Sequence, residues 1–375
     1  MSIAKVKTMN NNPLFKSFIS NPGPAYKGGK SRSEIVSNKK IFKLSSNENL
    51  LGSSPLALEA ISNHMTILNE YPDRTGGSLQ NALTKFYKGE LSDDNFITAN
   101  SGVGVIELII HAFLGEGLEC IVTNPTFVAY LEFCKKVGAT IKDVPLIGDN
   151  FELDVDAVLS AITPNTRVIW LCSPNNPTGT HISKDKIDKI VDNIPDHVVL
   201  VYDEVYYHFV TADDYTLAMP YVQAGKNVIG INSFSKAYGL AGLRIGYAYT
   251  TKELATYINQ LRRPFFINTL ALEAAKAALD DTEFINKTVD NVNQGKAYLY
   301  PELDRLGVKY WKSQSNFILI KPTLNDKDFE SKMLTEGIMV RRAAGFGAIG
   351  CVRVTIGDME ANLAYIKALE VVIGR

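Results

Sequence analysis

The sequence lacks the features that mark disulfide-stabilised proteins, metalloproteins and membrane proteins. Its four cysteines stand singly, without a Cys-x-x-Cys pair, which predicts buried reduced thiols and no disulfide framework. The five histidines include no spacing typical of metal ligands, so no metal site is predicted. No apolar run approaches the roughly 20 residues that a helix needs to cross a bilayer, and we expect no membrane partner.

Strong charge of either sign is also missing. The net charge of −1 and the absence of a long basic run argue against a nucleic-acid partner. Residues 1–12 are polar and contain no apolar signal-peptide core, which predicts a cytoplasmic protein. With 375 residues and 46% hydrophobic residues, the chain has ample material for one large or two medium domains.

Alternating β-like and helical patterns predict an α/β fold. Short β-like runs lie at 119–123, 167–172, 197–202, 228–231 and 244–249, and amphipathic stretches between them include 105–114, 125–137 and 184–193. This alternation favours a mainly parallel sheet with helices on both faces.

The pattern changes near the second half of the chain, which predicts three parts. Residues 1–45 are expected to form an irregular arm that packs with the small domain, and 46–265 a large domain. Residues 266–375 are expected to form a smaller α+β domain, with a helical tract to about residue 306, strands at 316–321 and 351–356, and helices at 326–336 and 360–373.

The segment from Ser233 to Arg244 carries the clearest chemical signal. Two hydroxyls (Ser233 and Ser235) and the guanidinium of Arg244 suit a phosphate group, and the glycines between them let the backbone approach it. The amine of Lys236 beside such an anchor can form a Schiff base with an aldehyde, which is the chemistry of pyridoxal phosphate. A lone lysine is more often a solvated surface residue, and only its neighbours favour the chemical interpretation.

Two further strand ends carry polar side chains. The run 167–172 leads to Asn176 within a Pro- and Gly-rich turn, and the run 197–202 leads to Asp203 and Tyr206. Each alone is typical of a turn or a helix cap. Because ligands bind beyond the carboxyl ends of strands in such sheets, we expect the amide, the acid, the phenol and the amine to converge. The pyridine ring of pyridoxal phosphate needs such partners, with a carboxylate at its nitrogen.

At these residues the chain resembles the fold-type I pyridoxal-phosphate aminotransferases, and most closely the histidinol-phosphate aminotransferase family. The matching motifs occupy residues 44–49, 71–73, 124–127, 173–179, 203–206, 233–247, 315–317 and 352–357. The resemblance implies a fold-type I enzyme with a large mainly parallel-sheet domain and a smaller α+β domain. It also implies pyridoxal 5′-phosphate as cofactor and small amino-acid and keto substrates.

The resemblance further implies roles for individual residues. Lys236 would bind the cofactor covalently and move a proton, Asp203 would pair with the ring nitrogen, and Asn176 and Tyr206 would contact the ring oxygen. The implied phosphate contacts are Ser233, Ser235, Arg244 and, from the partner subunit of a homodimer with shared sites, Tyr71. The implied substrate contacts are Arg353, Arg341 (with Arg342 as an alternative), Asn47, Asn176 and Tyr26.

Three segments depart from the family pattern. The loop before the first large-domain helix has no acid before Glu107, although the amides near Gly102 and Val103 can still form a phosphate nest at a helix N-terminus. Phe127 replaces a tyrosine at the ring-stacking position and can still stack. Residues 263–268 replace a Pro-Tyr-Asn type segment near the substrate. Residues 341–347 resemble members that also accept aromatic amino acids, so a wider or different substrate is open.

Other functions remain as alternatives. A pyridoxal-phosphate decarboxylase of a phosphorylated amino acid, similar to threonine-phosphate decarboxylases, shares the fold and most motifs. The stretch Ser233 to Lys236 also fits the Ser-x-x-Lys motif of acyl-enzymes, but the chain has no Lys-Thr-Gly. A cofactor-binding regulatory domain is not favoured, because no DNA-binding segment is attached.

Overall fold

The computed structural model describes residues 39–375 together with Lys16, Phe18 and Glu34. Tyr26, the predicted substrate contact of the arm, lies outside the described residues. The strands of residues 39–375 are β1 Phe42–Lys43, β2 Phe96–Ala99, β3 Glu119–Val122, β4 Thr140–Asp143, β5 Thr166–Cys172, β6 Val199–Asp203, β7 Val228–Ser233, β8 Gly246–Tyr249, β9 Lys309–Tyr310, β10 Phe317–Lys321, β11 Ile338–Met339, β12 Arg341–Arg342 and β13 Val352–Thr355.

The helices of the same range are α1 Pro55–His64, α2 Gly77–Phe86, α3 Gly102–Phe113, α4 Ala129–Lys135, α5 Val155–Ser160, α6 Lys184–Asn193, α7 Met219–Gln223, α8 Lys252–Asn259, α9 Thr269–Leu279, α10 Thr282–Leu306, α11 Asp326–Thr335 and α12 Met359–Ile373. None of these helices is long and apolar enough to cross a membrane.

The large sheet has seven strands in the order β2-β8-β7-β6-β5-β3-β4. Only β8 runs antiparallel to its neighbours; the other strands share one direction, so the predicted mainly parallel α/β sheet is confirmed. Parallel strands are covered on both faces and read as continuous apolar runs, as β5 to β7 do. The carboxyl ends of these three strands meet at one edge.

The two faces of this sheet bury separate hydrophobic clusters. In β5, Ile169 and Leu171 pack with helices that include α2, α6 and α9, while Val168 and Trp170 pack with α3, α4 and α8 on the other face. This division follows from the alternation of side chains along a strand. The side chains that follow each strand end therefore also alternate between faces.

The second sheet is small and antiparallel, in the order β12-β13-β10-β9. It packs with α10, α11 and α12 around its own cluster, which also contains Leu44. Strand β1 pairs in parallel with β11, so residues 42–43 run beside this second unit. The predicted strands and helices after residue 315 are confirmed to within two residues.

Some predicted boundaries were wrong, and each has a local cause. The strand expected from residue 244 begins at Gly246, because Arg244 has left-handed backbone (φ 55°) at the end of a short 3-10 turn. The helix expected from residue 105 begins at Gly102, because the Ser101 hydroxyl accepts the Gly104 N–H (2.9 Å) and caps it. The helix expected at 125–137 is confined to α4, after a turn at Pro125–Phe127.

The helical tract after residue 263 changes its packing partner within its length. Helix α9 contributes Ala271, Ala274 and Ala278 to the core of the large sheet. Helix α10 contributes Val292, Leu299 and Leu303 to the core of the small sheet. The change occurs at the α9–α10 junction, while the division into domains at residues 45 and 265 stays a prediction.

Candidate active site

A cavity of about 410 Å³ lies at the carboxyl edge of the large sheet, beside the small sheet. Of the predicted site residues that the structure describes, it brings together all except Tyr71. The predicted residues that line it are Asn47, Gly102, Val103, Phe127, Asn176, Asp203, Tyr206, Ser233, Ser235, Lys236, Arg244, Arg341 and Arg353. In the described ranges, no group of three or more His, Cys, Asp or Glu is placed to hold a metal ion.

Asp203 is the last residue of β6 and its carboxylate is buried at the cavity wall. It accepts hydrogen bonds from the Tyr130 hydroxyl (2.5 Å) and the Val205 N–H (3.2 Å). Burial raises the pKa of Asp203 to about 6, although both hydrogen bonds and the charge of Lys236 oppose this. A carboxylate whose pKa is raised by burial is stabilised in its charged form by a cationic partner in the cavity.

Tyr206 faces the same cavity from the turn after β6. Its hydroxyl accepts a hydrogen bond from Asn47 Nδ2 (2.9 Å), and burial raises the pKa of this phenol. Asn47 is in turn held by the small unit, since its N–H donates to Thr355 Oγ1 (2.9 Å) and its carbonyl accepts from Asn316 Nδ2 (3.1 Å). Asn47 thus connects the phenol to the small sheet.

Lys236 lies on the loop after β7, with its amine directed to the chain segment after β1. Its Nζ donates to the Ser46 carbonyl (3.0 Å). Burial, together with the nearby charges of Arg353 and Arg244, lowers the pKa of Lys236 to about 7. A large share of this amine is therefore neutral near pH 7, which is the form that acts as nucleophile or base.

One end of the cavity is built to bind an anion. Helix α3 begins there, so its first N–H groups have no intrahelical acceptor. Gly246 permits the approach, because a Cβ at this position would lie 2.4 Å from Gly102 N. The hydroxyls of Ser233 and Ser235 lie 3.0 Å apart, and Arg244 lines the same end. Hydroxyls, amides and a guanidinium together suit a phosphate group.

The opposite wall presents two arginines. Arg353 lies on β13 and is buried; it donates to Asn176 Oδ1 (2.6 Å) and to the Ser45 carbonyl (2.8 Å). Arg341 lines the cavity from β12, the strand paired with β13. A buried guanidinium fixed by an amide and a carbonyl oxygen is suited to bind the anionic group of a substrate.

Tyr71 lies outside this cavity. Its side chain is 83% exposed and packs against Phe265, with ring centroids 4.8 Å apart and the ring planes tilted by 32°. The unusual segment 263–268 therefore adjoins Tyr71 rather than the cavity of the same chain. Phe127 does line the cavity, and it meets Tyr130 edge to face at 5.6 Å.

The sequence did not point to two residues that the structure connects with the site, Glu204 and Phe346. Glu204 follows Asp203 on the opposite face of the sheet, and its carboxylate accepts from Asn232 Nδ2 (2.8 Å), the Tyr249 hydroxyl (2.5 Å) and the Ala218 N–H (2.9 Å). Burial raises the pKa of Glu204 to about 7. The alternation of side chains at a strand end was the available signal for Glu204. For Phe346 the signal was the family likeness of residues 341–347, which did not single out this residue.

The family model of aminotransferase class I and II matches residues 39–369. This chain belongs to the class I and II aminotransferases. Similar curated relatives include the histidinol-phosphate aminotransferases of Anoxybacillus flavithermus, 38% identical over 329 residues (88% of each chain). That of Moorella thermoacetica is 38% identical over 338 residues (89% of this chain and 86% of the relative).

Solved structures share the fold. Histidinol-phosphate aminotransferase from Sinorhizobium meliloti in complex with pyridoxal-5′-phosphate superposes with a TM-score of 0.85 at 22% identity, covering 98% of this chain and 99% of the other. Aspartate aminotransferase from Thermus thermophilus with maleate gives 0.79 at 23% identity, covering 89% and 92%. The predicted fold type and enzyme class are confirmed, and pyridoxal 5′-phosphate is the cofactor of this aminotransferase family, as predicted.

The cavity of this aminotransferase fits its cofactor. The anion-binding end at α3 and Ser233 suits the phosphate, and the buried carboxylate of Asp203 suits a protonated ring nitrogen. Phe127 and Val205 supply apolar surface between these two polar ends. The amine of Lys236 lines the same cavity. Pyridoxal phosphate carries a phosphate, a pyridine ring and an aldehyde, and the cavity offers a partner for each of the three.

Proposed function

We propose that this aminotransferase moves an amino group between histidinol phosphate and a 2-oxo acid, in the biosynthesis of histidine. The single observation that carries the proposal is the fixed guanidinium of Arg353, held by Asn176 and the Ser45 carbonyl in the same cavity as the amine of Lys236. It provides an anion-binding point in the cavity that holds the reactive amine. The names of relatives at 38% identity support the choice of substrate.

Each cofactor-facing residue then has a distinct task. Bound pyridoxal phosphate supplies an electron sink that stabilises negative charge at the substrate carbon which loses its proton. The amine of Lys236 would take that proton from the substrate carbon and deliver it to the C4′ carbon of the cofactor, and a pKa of about 7 suits a base that works near neutral pH. Asp203 would hold the ring nitrogen in its cationic form, and Asn176 and Tyr206 would hold the ring oxygen.

The phosphate contacts anchor the cofactor while the amine is exchanged. Ser233, Ser235, Arg244 and the amides of Gly102 and Val103 bind its phosphate in this proposal. Ser233 ends β7 and the two amides begin α3, while Ser235 and Arg244 lie on the connection between β7 and β8. A fixed phosphate keeps the ring against Asp203 when Lys236 is released to act as base.

We also propose that two copies of the chain form a homodimer with shared sites. Tyr71 would reach the phosphate of the partner's cofactor, which is consistent with its 83% exposure and its distance from the cavity of its own chain. We also propose that the protein is located in the cytoplasm. Sedimentation of the holoenzyme tests the dimer, and a monomer with full activity would contradict the shared site.

One experiment tests the substrate. The holoenzyme is mixed, in single turnovers, with histidinol phosphate, glutamate, phenylalanine, tyrosine or threonine phosphate, and the visible absorbance of the bound cofactor is followed. We expect conversion with histidinol phosphate and glutamate, with aromatic amino acids slower. Carbon dioxide release from threonine phosphate, without stoichiometric keto-acid formation, would instead identify a decarboxylase.

A further inference from the structure

Phe346 is buried in the cavity wall that carries Arg341 and Arg353, and its ring contacts both of these arginines. Its side chain is 4% exposed and lines the cavity. The ring centroid lies 5.6 Å from Arg341 Cζ and 5.1 Å from Arg353 Cζ. A guanidinium within about 6 Å of an aromatic ring is attracted to its face, more strongly where water is excluded. One ring therefore restrains two guanidinium groups at once.

The loop that carries Phe346 is held from both sides of the cavity. The Phe346 N–H donates to the Ala343 carbonyl (2.9 Å) within the small unit, and its carbonyl accepts from the Thr126 N–H of the large unit (3.1 Å). Gly347 has left-handed backbone (φ 92°), and a Cβ there would lie 3.2 Å from Pro125 Cα. The backbone of Phe346 is thus held by contacts that involve neither arginine.

Phe317 provides an internal comparison. Its ring lies 5.4 Å from Arg353 Cζ and packs edge to face on Tyr206 at 5.2 Å. Among the ring–cation contacts of the described residues, Phe317 meets Arg353 but not Arg341. The two phenylalanines therefore differ in whether they connect the arginines.

We propose that Phe346 is a specificity-determining residue that sets the spacing between the anion-binding points at Arg353 and Arg341. Among carboxylic acids, the cavity then favours those that offer one carboxylate to each arginine, such as a dicarboxylic amino donor or its 2-oxo acid. The inference rests on the proposed function in one respect, namely that this cavity binds the amino-acid substrates. Loss of the ring should weaken doubly charged ligands more than singly charged ligands of equal length.

The test measures binding of two unreactive acids to the holoenzyme by calorimetry. Glutarate and pentanoate have the same chain length and differ by one carboxylate. In Phe346→Leu we expect the ratio of the glutarate Kd to the pentanoate Kd to rise about 5- to 10-fold over the wild type. Phe346→Met, which also removes the ring, should give a similar rise, and Phe346→Tyr, which keeps it, should stay within about twofold.

Phe317→Leu is the matched control, because it disturbs Arg353 alone of the two arginines. Both acids should weaken in this variant, with the ratio unchanged. An unchanged ratio in Phe346→Leu and Phe346→Met, an equal rise in Phe317→Leu, or a wild type that does not prefer glutarate would each overturn the inference. These outcomes are separate from the proposed reaction, which the single turnovers with histidinol phosphate decide.

Discussion

The two walls of the active-site cavity are built in different ways. On the cofactor wall, Asp203, Ser233 and Lys236 follow neighbouring parallel strands, and each strand end delivers its side chain to the same edge. On the substrate wall, Arg353 is fixed by the carbonyl of Ser45, a residue 308 positions earlier in the chain. The cofactor wall is a property of one sheet, while the substrate wall exists only after two distant segments meet. We therefore expect substitutions on the first wall to affect every substrate, and those on the second to change preference.

The largest expected effect is that of Lys236→Ala on the cofactor wall. Removing the base should lower the rate of single turnovers about 10⁴-fold for every amino donor, while the cofactor still binds without a covalent bond. Absorbance of the bound cofactor measures both properties. Lys184→Ala, at an exposed lysine paired with Asp188, is the control and should behave as wild type. Rates within tenfold of wild type would contradict the role of Lys236 as the base.

Asp203→Asn should give the next largest loss. Replacing the buried carboxylate leaves a cationic ring nitrogen without its partner, which costs about 3–5 kcal/mol, or about 200- to 5,000-fold in rate. The loss should be equal for glutamate and histidinol phosphate, because this group lies on the cofactor wall. A loss confined to one substrate would contradict the division between the walls. Asp188→Asn, on the surface, serves as the matched control.

Arg353→Lys should have an intermediate effect, limited to the binding of substrates. A lysine cannot reproduce the fork that binds Asn176, Ser45 and an anion together, so we expect KM to rise about 10- to 100-fold. The cofactor Kd should stay within about twofold of wild type. Weaker cofactor binding by a factor of ten or more would show that the two walls are not independent.

The smallest expected effect concerns the pH dependence of stability. The pKa of Glu204 rises from 4.5 to about 7 on folding, so the folded protein binds more protons than the unfolded chain between these values. Its contribution to stability is complete below pH 4.5 and is lost as pH rises through about 7. The loss is on the order of 3 kcal/mol at most.

Urea unfolding of the apoenzyme at pH 5, 6, 7 and 7.5 measures this contribution. Asp203 acts in the same direction, so the wild type should lose stability over this range and Glu204→Gln should lose less. Glu253→Gln, at an exposed position, should follow the wild-type profile. Parallel profiles for wild type and Glu204→Gln would show that the Glu204 carboxyl titrates alike in both states.

The sequence predicted more of the cofactor wall than of the substrate wall. Lys236, Asp203 and Asn176 were predicted because they follow apolar strands, and parallel strands place such residues at one edge. Glu204 was passed over although alternation places it behind Asp203, where it connects β6 to β7 and β8. Phe346 was not predicted, because neither its burial nor its contacts with two arginines follow from a local pattern.

The amino-acid sequence by itself determined the α/β class, the strand ends and the proposed phosphate-binding motif, since these depend on periodicity and on residues close in the chain. Only the tertiary structure decided that Asn47 holds Tyr206, that Phe346 contacts both arginines, and that Tyr71 lies outside the cavity of its own chain. The physical reason is distance along the chain. Contacts between segments hundreds of residues apart depend on how two sheets pack, and no local pattern records that packing.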